Sequence, residues 1–298
     1  MATRLKLEMD YSKCRSVDHE GTRLPEAYES LAVHLPKIKA MEIWDDDVML
    51  CCYPKSGTHW LYRVLDMLQR GSSEYCERNL ESTHLDIQRI ELISELASPR
   101  VLATHMPFDL LPQQIKDKRT KLVHVYRNPR AVLVSYYFMV NAFIVNDSQA
   151  FRNKAIELES DFFSEKMLYR GWFGYMDSIS TFQKDNPDQP IIHVSYEEMT
   201  MNPMATVKKL AEFLEKTVTP VFCAQVAEAC GFKKQKQAEE SLNSEHVPLK
   251  FYRKGDMNDW KNHLTVALDE KFDKILLERA KICPFSAKYI GSSLPHDQ

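Results

Sequence analysis

The chain has 298 residues, 44% hydrophobic and 27% charged, with a formal net charge of −3. This composition suits a globular protein with a substantial core and argues against a general nucleic-acid binder, which would carry a basic surplus. The opening "MATRLKLEMDYSKC" lacks the apolar core of a signal peptide, and no apolar run reaches the roughly 18 residues of a membrane span. The seven cysteines form no C-x-x-C pair. A reduced, cytoplasmic protein without a zinc site is expected.

In chain order, the first 45 residues carry no clear pattern. Residues 1–30 are expected to be an irregular N-terminal segment, before a core of about residues 31–285 within one domain spanning 1–298. Four short apolar runs then read as buried strands: 48–53 "VMLCCY", 100–104 "RVLAT", 121–126 "KLVHVY" and 190–195 "PIIHVS". Between and after them come helical patterns. Leu61, Val64, Leu65 and Leu68 fall at i, i+3, i+4, i+7, as do Val207, Leu210, Ala211 and Leu214. The stretch 129–143 predicts a buried helix and 269–280 an amphipathic one. Strands alternating with helices predict an α/β fold with a central parallel sheet, and ligands bind beyond the carboxyl ends of such strands. "PKSGTHW", "THMPF" and "RNPRAVLVS" all fall there.

The first of these is a strand feeding a helix through Lys55, Ser56, Gly57 and Thr58. It makes a small anion cradle. Gly57 lets the backbone approach a ligand, the free N–H groups of the first helical turn point at it, two hydroxyls donate and Lys55 adds a full charge. It is not a Walker A loop, because Lys55 precedes the only glycine.

"YPKSGTHW" resembles the 5′-phosphosulfate loop of cytosolic sulfotransferases, Y-P-K-[SA]-G-T-[TN]-W. These enzymes have an α/β fold related to the nucleotide kinases and use 3′-phosphoadenylyl sulfate (PAPS) as donor, without a metal. Three further segments resemble the family in order. "YRNPRAVLVSYY" matches its 3′-phosphate segment at Arg127 and Ser135. "VSYEEM" places Tyr196 near the adenine. "FYRKGDMNDWKNHLT" matches the C-terminal loop, with Arg253, Lys254 and Gly255 closing on the 3′-phosphate. The resemblance also implies that Trp60 stacks on adenine, that His59 contacts phosphate, and that Cys230 and Phe232 of "ACGFKK" flank the base.

In "RVLATHMPFDLLP", His105 matches the family's catalytic histidine. A neutral imidazole can take the acceptor's proton as the new S–O bond forms, while Lys55 meets charge building on the leaving oxygen. Ala103 stands where the family has lysine, Ala131 where it has aspartate, and Asn258 where it has a second loop glycine. Asn258 is expected to visit a left-handed conformation there. These departures keep two alternatives open: a nucleotide-binding protein that transfers sulfonate poorly, and a P-loop kinase. Met106, Phe108, Met139, Phe143, Phe162 and Trp172 are candidates for an apolar acceptor pocket suited to a phenol, a steroid-like alcohol or a similar small molecule. "KNHLTVALDE" resembles the family's dimer motif at Lys261, Thr265, Val266 and Glu270, which implies a homodimer. No membrane or nucleic-acid partner is expected.

Overall fold

The computed structural model describes residues 15–76, 78–141, 161–163, 166–242 and 253–291. Phe143 lies outside them. The chain folds as an α/β domain around a four-stranded parallel sheet of β3 (Val48–Cys52), β4 (Val101–Thr104), β5 (Lys121–Tyr126) and β6 (Ile191–Ser195), in the order β4-β3-β5-β6. All four strands lie where their apolar runs predict them. The absence of hydrophobic alternation has a direct cause: every residue of β3 is buried, because helices cover both faces. Successive side chains point to opposite faces. Met49, Cys51, Leu102 and Leu122 therefore pack with one core cluster, and Val48, Leu50, Cys52 and Val123 with the other.

The N-terminal expectation needs correction. Residues 15–26 form an antiparallel hairpin of β1 (Arg15–His19) and β2 (Thr22–Glu26), followed by helix α1 (Leu31–Ala40). Glu20 and Gly21 form its two-residue turn, both at positive φ as a type I′ turn requires, and the Asp18 carboxylate accepts from the Gly21 N–H at 3.0 Å. Leu24 anchors the hairpin in the core.

Helix α2 (Thr58–Arg70) follows β3 after a five-residue turn and stops at Gly71, which has φ 66°. Helix α3 (Pro129–Asn141) follows β5, and α4 (Gly171–Asp185) precedes β6. After β6, α5 (Tyr196–Met201) begins at Ser195, whose hydroxyl accepts from the Glu198 N–H at 3.1 Å. Helix α6 (Pro203–Phe213) starts on its proline, and α7 (Val266–Arg279) starts at Thr265, whose hydroxyl accepts from the Leu268 N–H.

The parallel register aligns the strand ends. Cys51 lies opposite Thr104, Cys52 opposite Val125, and Tyr126 opposite Ser195. The turn after β3, His105 after β4, Arg127 after β5 and Tyr196 after β6 are thereby delivered to one rim.

Candidate active site

That rim opens into a cavity of about 330 Å³. Its wall includes Lys55, Gly57, Thr58, His59 and Trp60 from the first turn and the start of α2, with His105, Arg127, Ser135 and Tyr196. Cys230, Phe232, Arg253, Lys254 and Gly255 come from the C-terminal third of the chain. Ser56 is fully buried beside this wall.

The first turn is held in an unusual backbone shape. Lys55 has φ 68°, a region that costs a non-glycine residue about 1–2 kcal/mol, and its carbonyl accepts from Arg127 Nη1 at 3.1 Å. Gly57 has φ 111°, and a Cβ there would lie 2.8 Å from the Tyr196 ring. Only glycine permits that close approach. The Arg127 guanidinium lies 4.1 Å over the same ring. Among the described residues, Ser56 Oγ and Arg127 Nε are buried without a partner. An unpaired buried donor costs about 1–3 kcal/mol, and phosphate oxygens are acceptors that would satisfy both.

The C-terminal segment is organised by Asp259, which is 3% exposed. Its carboxylate accepts from Arg253, from Lys254 Nζ at 2.8 Å and lies 3.0 Å from His263 Nε2. Burial alone would raise this carboxyl's pKa, but the hydrogen bonds from Lys254 and Arg253 outweigh it and hold it below the usual range. The Arg253 guanidinium lies 4.3 Å over the Phe138 ring. Gly255 lies flat on Phe232, where a Cβ would come within 2.6 Å of the ring.

His105 is positioned from three sides. Its Nδ1 lies 2.7 Å from the Cys52 carbonyl oxygen, so Nδ1 carries the proton and donates. The lone pair is left on Nε2. The His105 backbone N–H donates to Asp86 Oδ2 at 2.9 Å, and Thr104 Oγ1 donates to Asp86 Oδ1 at 2.5 Å. Burial, with a smaller contribution from His84, pushes the imidazole down to about 3, against the pull of Asp86. His105 is therefore a neutral imidazole at physiological pH. If it takes the acceptor's proton, kcat/KM should stay level from pH 8 to about 5. Activity would fall only as pH approaches that depressed value, and a pH–rate profile with its acid limb near 6.5 would contradict this assignment.

The family profile of the sulfotransferase domain matches residues 45–284. The chain belongs to the sulfotransferase family. It is 30% identical to sulfotransferase 1E1 of Bos taurus over 266 residues, 83% of this chain and 87% of that one. It is 28% identical to the amine sulfotransferase of Oryctolagus cuniculus over 291 residues, 93% of this chain and 94% of that one. A crystal structure of mouse sulfotransferase SULT7A1 complexed with PAP shares the fold at TM-score 0.71 and 23% identity, over 92% of this chain and 98% of that one.

This sulfotransferase's departures have visible settings. Ala103 is fully buried on the sheet and does not line the cavity. Asn258 has φ −104°, so the expected left-handed conformation is not used. His59 lines the cavity 3.8 Å from Glu81 Oε1, and burial, with the charges of Lys55 and Arg63, pushes it down to about 3. Of the apolar candidates, Met139 lines the cavity. Met106, Phe108, Phe162 and Trp172 are 2% exposed or less, packed in the core beneath it. The cavity wall also contains Glu81, His84, Tyr169 and Gln235, which sequence reasoning did not single out. Nor did it find Asp86 and Asp259, the two buried carboxylates that orient His105 and the C-terminal cations.

Proposed function

We propose that this sulfotransferase moves a sulfonate group from PAPS to a hydroxyl of a small lipophilic acceptor, with His105 as general base. The observation that carries this reading is the convergence of Lys55, His105, Arg127 and Arg253 on one cavity from four separate segments. PAPS supplies the activated sulfonyl group. Lys55 and the N–H groups opening α2 bind the 5′-phosphosulfate end. Arg127, Ser135 and Arg253 bind the 3′-phosphate. Trp60 and Phe232 hold the adenine between them. His105 Nε2 takes the acceptor's hydroxyl proton as oxygen bonds to sulfur and the sulfur–oxygen bond to the 5′-phosphate breaks. Lys55 offsets the charge left on that phosphate. Ile87, Met139, Leu168 and Tyr169 give the remaining wall an apolar character suited to such an acceptor.

Incubation with ³⁵S-labelled PAPS and a panel of phenols, steroid alcohols and amines tests the reading. Label is expected in a sulfate ester of a hydroxyl acceptor, with a chelator present. Tight adenosine 3′,5′-bisphosphate binding with no labelled product on any acceptor would make the protein a nucleotide binder instead. The same chain is proposed to pair as a homodimer through Lys261, Thr265, Val266 and Glu270. Thr265, Val266 and Glu270 are exposed at the start of α7, and a monomeric sedimentation profile at micromolar concentration would remove that assignment.

A further inference from the structure

The segment Tyr169–Gly171, which leads into α4, has a backbone shape that side chains disfavour. Tyr169 has φ 60° and ψ 32°, and Arg170 has φ 68° and ψ 18°. Three successive residues have positive φ, and only the last is a glycine. Such a turn persists where its surroundings over-determine it, and strain of this kind gathers at functional sites. The Arg170 side chain supplies the constraint. Its Nη1 and Nη2 donate to Asp109 Oδ1 and Oδ2 at 2.7 and 2.8 Å, and Nε donates to Thr22 Oγ1 at 2.8 Å. An isolated exposed ion pair contributes little, but a two-pronged contact with a third bond to a buried hydroxyl fixes geometry.

This clamp joins three segments around the site. Thr22 is a buried residue of β2, the strand that also gives Pro25 to the cavity wall. Asp109 sits in the turn Phe108–Leu110, four residues after His105. Arg170 does not line the cavity, but Tyr169 does, and Tyr169 is buried. The Tyr169 ring lies edge-on to the His105 imidazole, with 5.6 Å between centroids. Its hydroxyl donates to Asp86, the carboxylate that also accepts from the His105 backbone N–H. A relaxed backbone at residues 169 and 170 would redirect the Tyr169 side chain and remove both contacts.

We propose that Arg170 is a positioning residue, whose grip on Asp109 and Thr22 keeps Tyr169 in its left-handed conformation against His105 and Asp86. Its bearing on turnover rests on the sulfonyl-transfer reading for the role of His105. Loss of the grip acts on the chemical step, because misplacing a reacting group by about 1 Å can cost about 10²-fold. The nucleotide end, built from other segments, is left alone. A purely structural clamp would instead lower the melting temperature and leave the turnover of folded molecules unchanged.

The test uses Arg170→Gly, which removes the guanidinium yet suits the backbone at φ 68°, and Asp109→Asn, which removes only the partner's charge. In Arg170→Gly, kcat for ³⁵S transfer is expected to fall at least about tenfold, while adenosine 3′,5′-bisphosphate affinity stays within about threefold. Asp109→Asn should lose part of that activity, and the double variant no more than Arg170→Gly alone, since both changes break one contact. Carbethoxylation of His105 by diethyl pyrocarbonate, mapped by mass spectrometry, gives a readout that needs no turnover. It should be at least about threefold faster in Arg170→Gly, because Tyr169 no longer covers the ring. Melting curves establish that each variant is folded, and Asp109→Asn decides the matter by the same readouts if Arg170→Gly is not. An unchanged labelling rate overturns the proposal. Faster labelling with unchanged kcat overturns the part of Arg170 in the reaction and leaves the reaction itself intact. Faster labelling when wild type transfers to no acceptor overturns the reaction and leaves the positioning of His105 in place.

Discussion

Replacing His105 with Ala is expected to lower sulfonate transfer by about 10²–10⁴, the usual contribution of a well-placed general base. Adenosine 3′,5′-bisphosphate affinity should change by less than about threefold, because the histidine's side chain is assigned to the acceptor's proton. The substitution is structurally mild. The backbone N–H that donates to Asp86 is retained, and the lost contacts of Nδ1 are those with the Cys52 carbonyl at 2.7 Å and Cys52 Sγ at 3.4 Å. Turnover with ³⁵S-labelled PAPS and calorimetry with the bisphosphate, on the same preparation, check both halves. Turnover within tenfold of wild type would remove His105 from the mechanism. A parallel loss of nucleotide affinity would show that it holds the donor rather than the acceptor.

Arg253→Ala should weaken adenosine 3′,5′-bisphosphate by about 10–100-fold while AMP changes little, since a charge-assisted hydrogen bond contributes about 1.5–3 kcal/mol. The contrast isolates the 3′-phosphate, the only group by which the two ligands differ. Asp259 shapes the expected outcome. It retains Lys254 and His263 when Arg253 is removed, so the segment keeps its anchor and the loss reports the missing guanidinium. Calorimetry with both ligands decides the point. Equal weakening of both would mean that Arg253 acts on the adenosine 5′-phosphate or on the fold of the segment.

The sheet and the turn that walls one end of the cavity were legible in the sequence for a physical reason. Strands buried on both faces must be continuous apolar runs, and an anion cradle needs its lysine, hydroxyls and glycine contiguous at a strand end. "VMLCC" and "PKSGTH" satisfy both rules within twelve residues. The hairpin at 15–26 was harder to read, although Glu20-Gly21 is a two-residue turn signal, because its strands carry charged and polar residues at most positions. Asp86 and His84 gave no local signal. They sit in an irregular stretch and acquire meaning only when the His84–Ala103 bridge lays that stretch beside β4. Asp259 lay inside a recognised motif, but its role depends on three partners folding back onto it. The apolar part of the cavity wall was least legible. Side-chain type alone cannot separate Met139, which reaches the cavity, from Met106 and Phe108, which fill the core below.

The most direct test of the account is a calorimetric comparison of adenosine 3′,5′-bisphosphate and AMP on the wild-type protein in metal-free buffer. Two cationic ends gripping one nucleotide predict a preference of at least about tenfold for the bisphosphate, from one or two charge-assisted contacts to the 3′-phosphate. Equal affinity for the two ligands, or no binding of either, would contradict it.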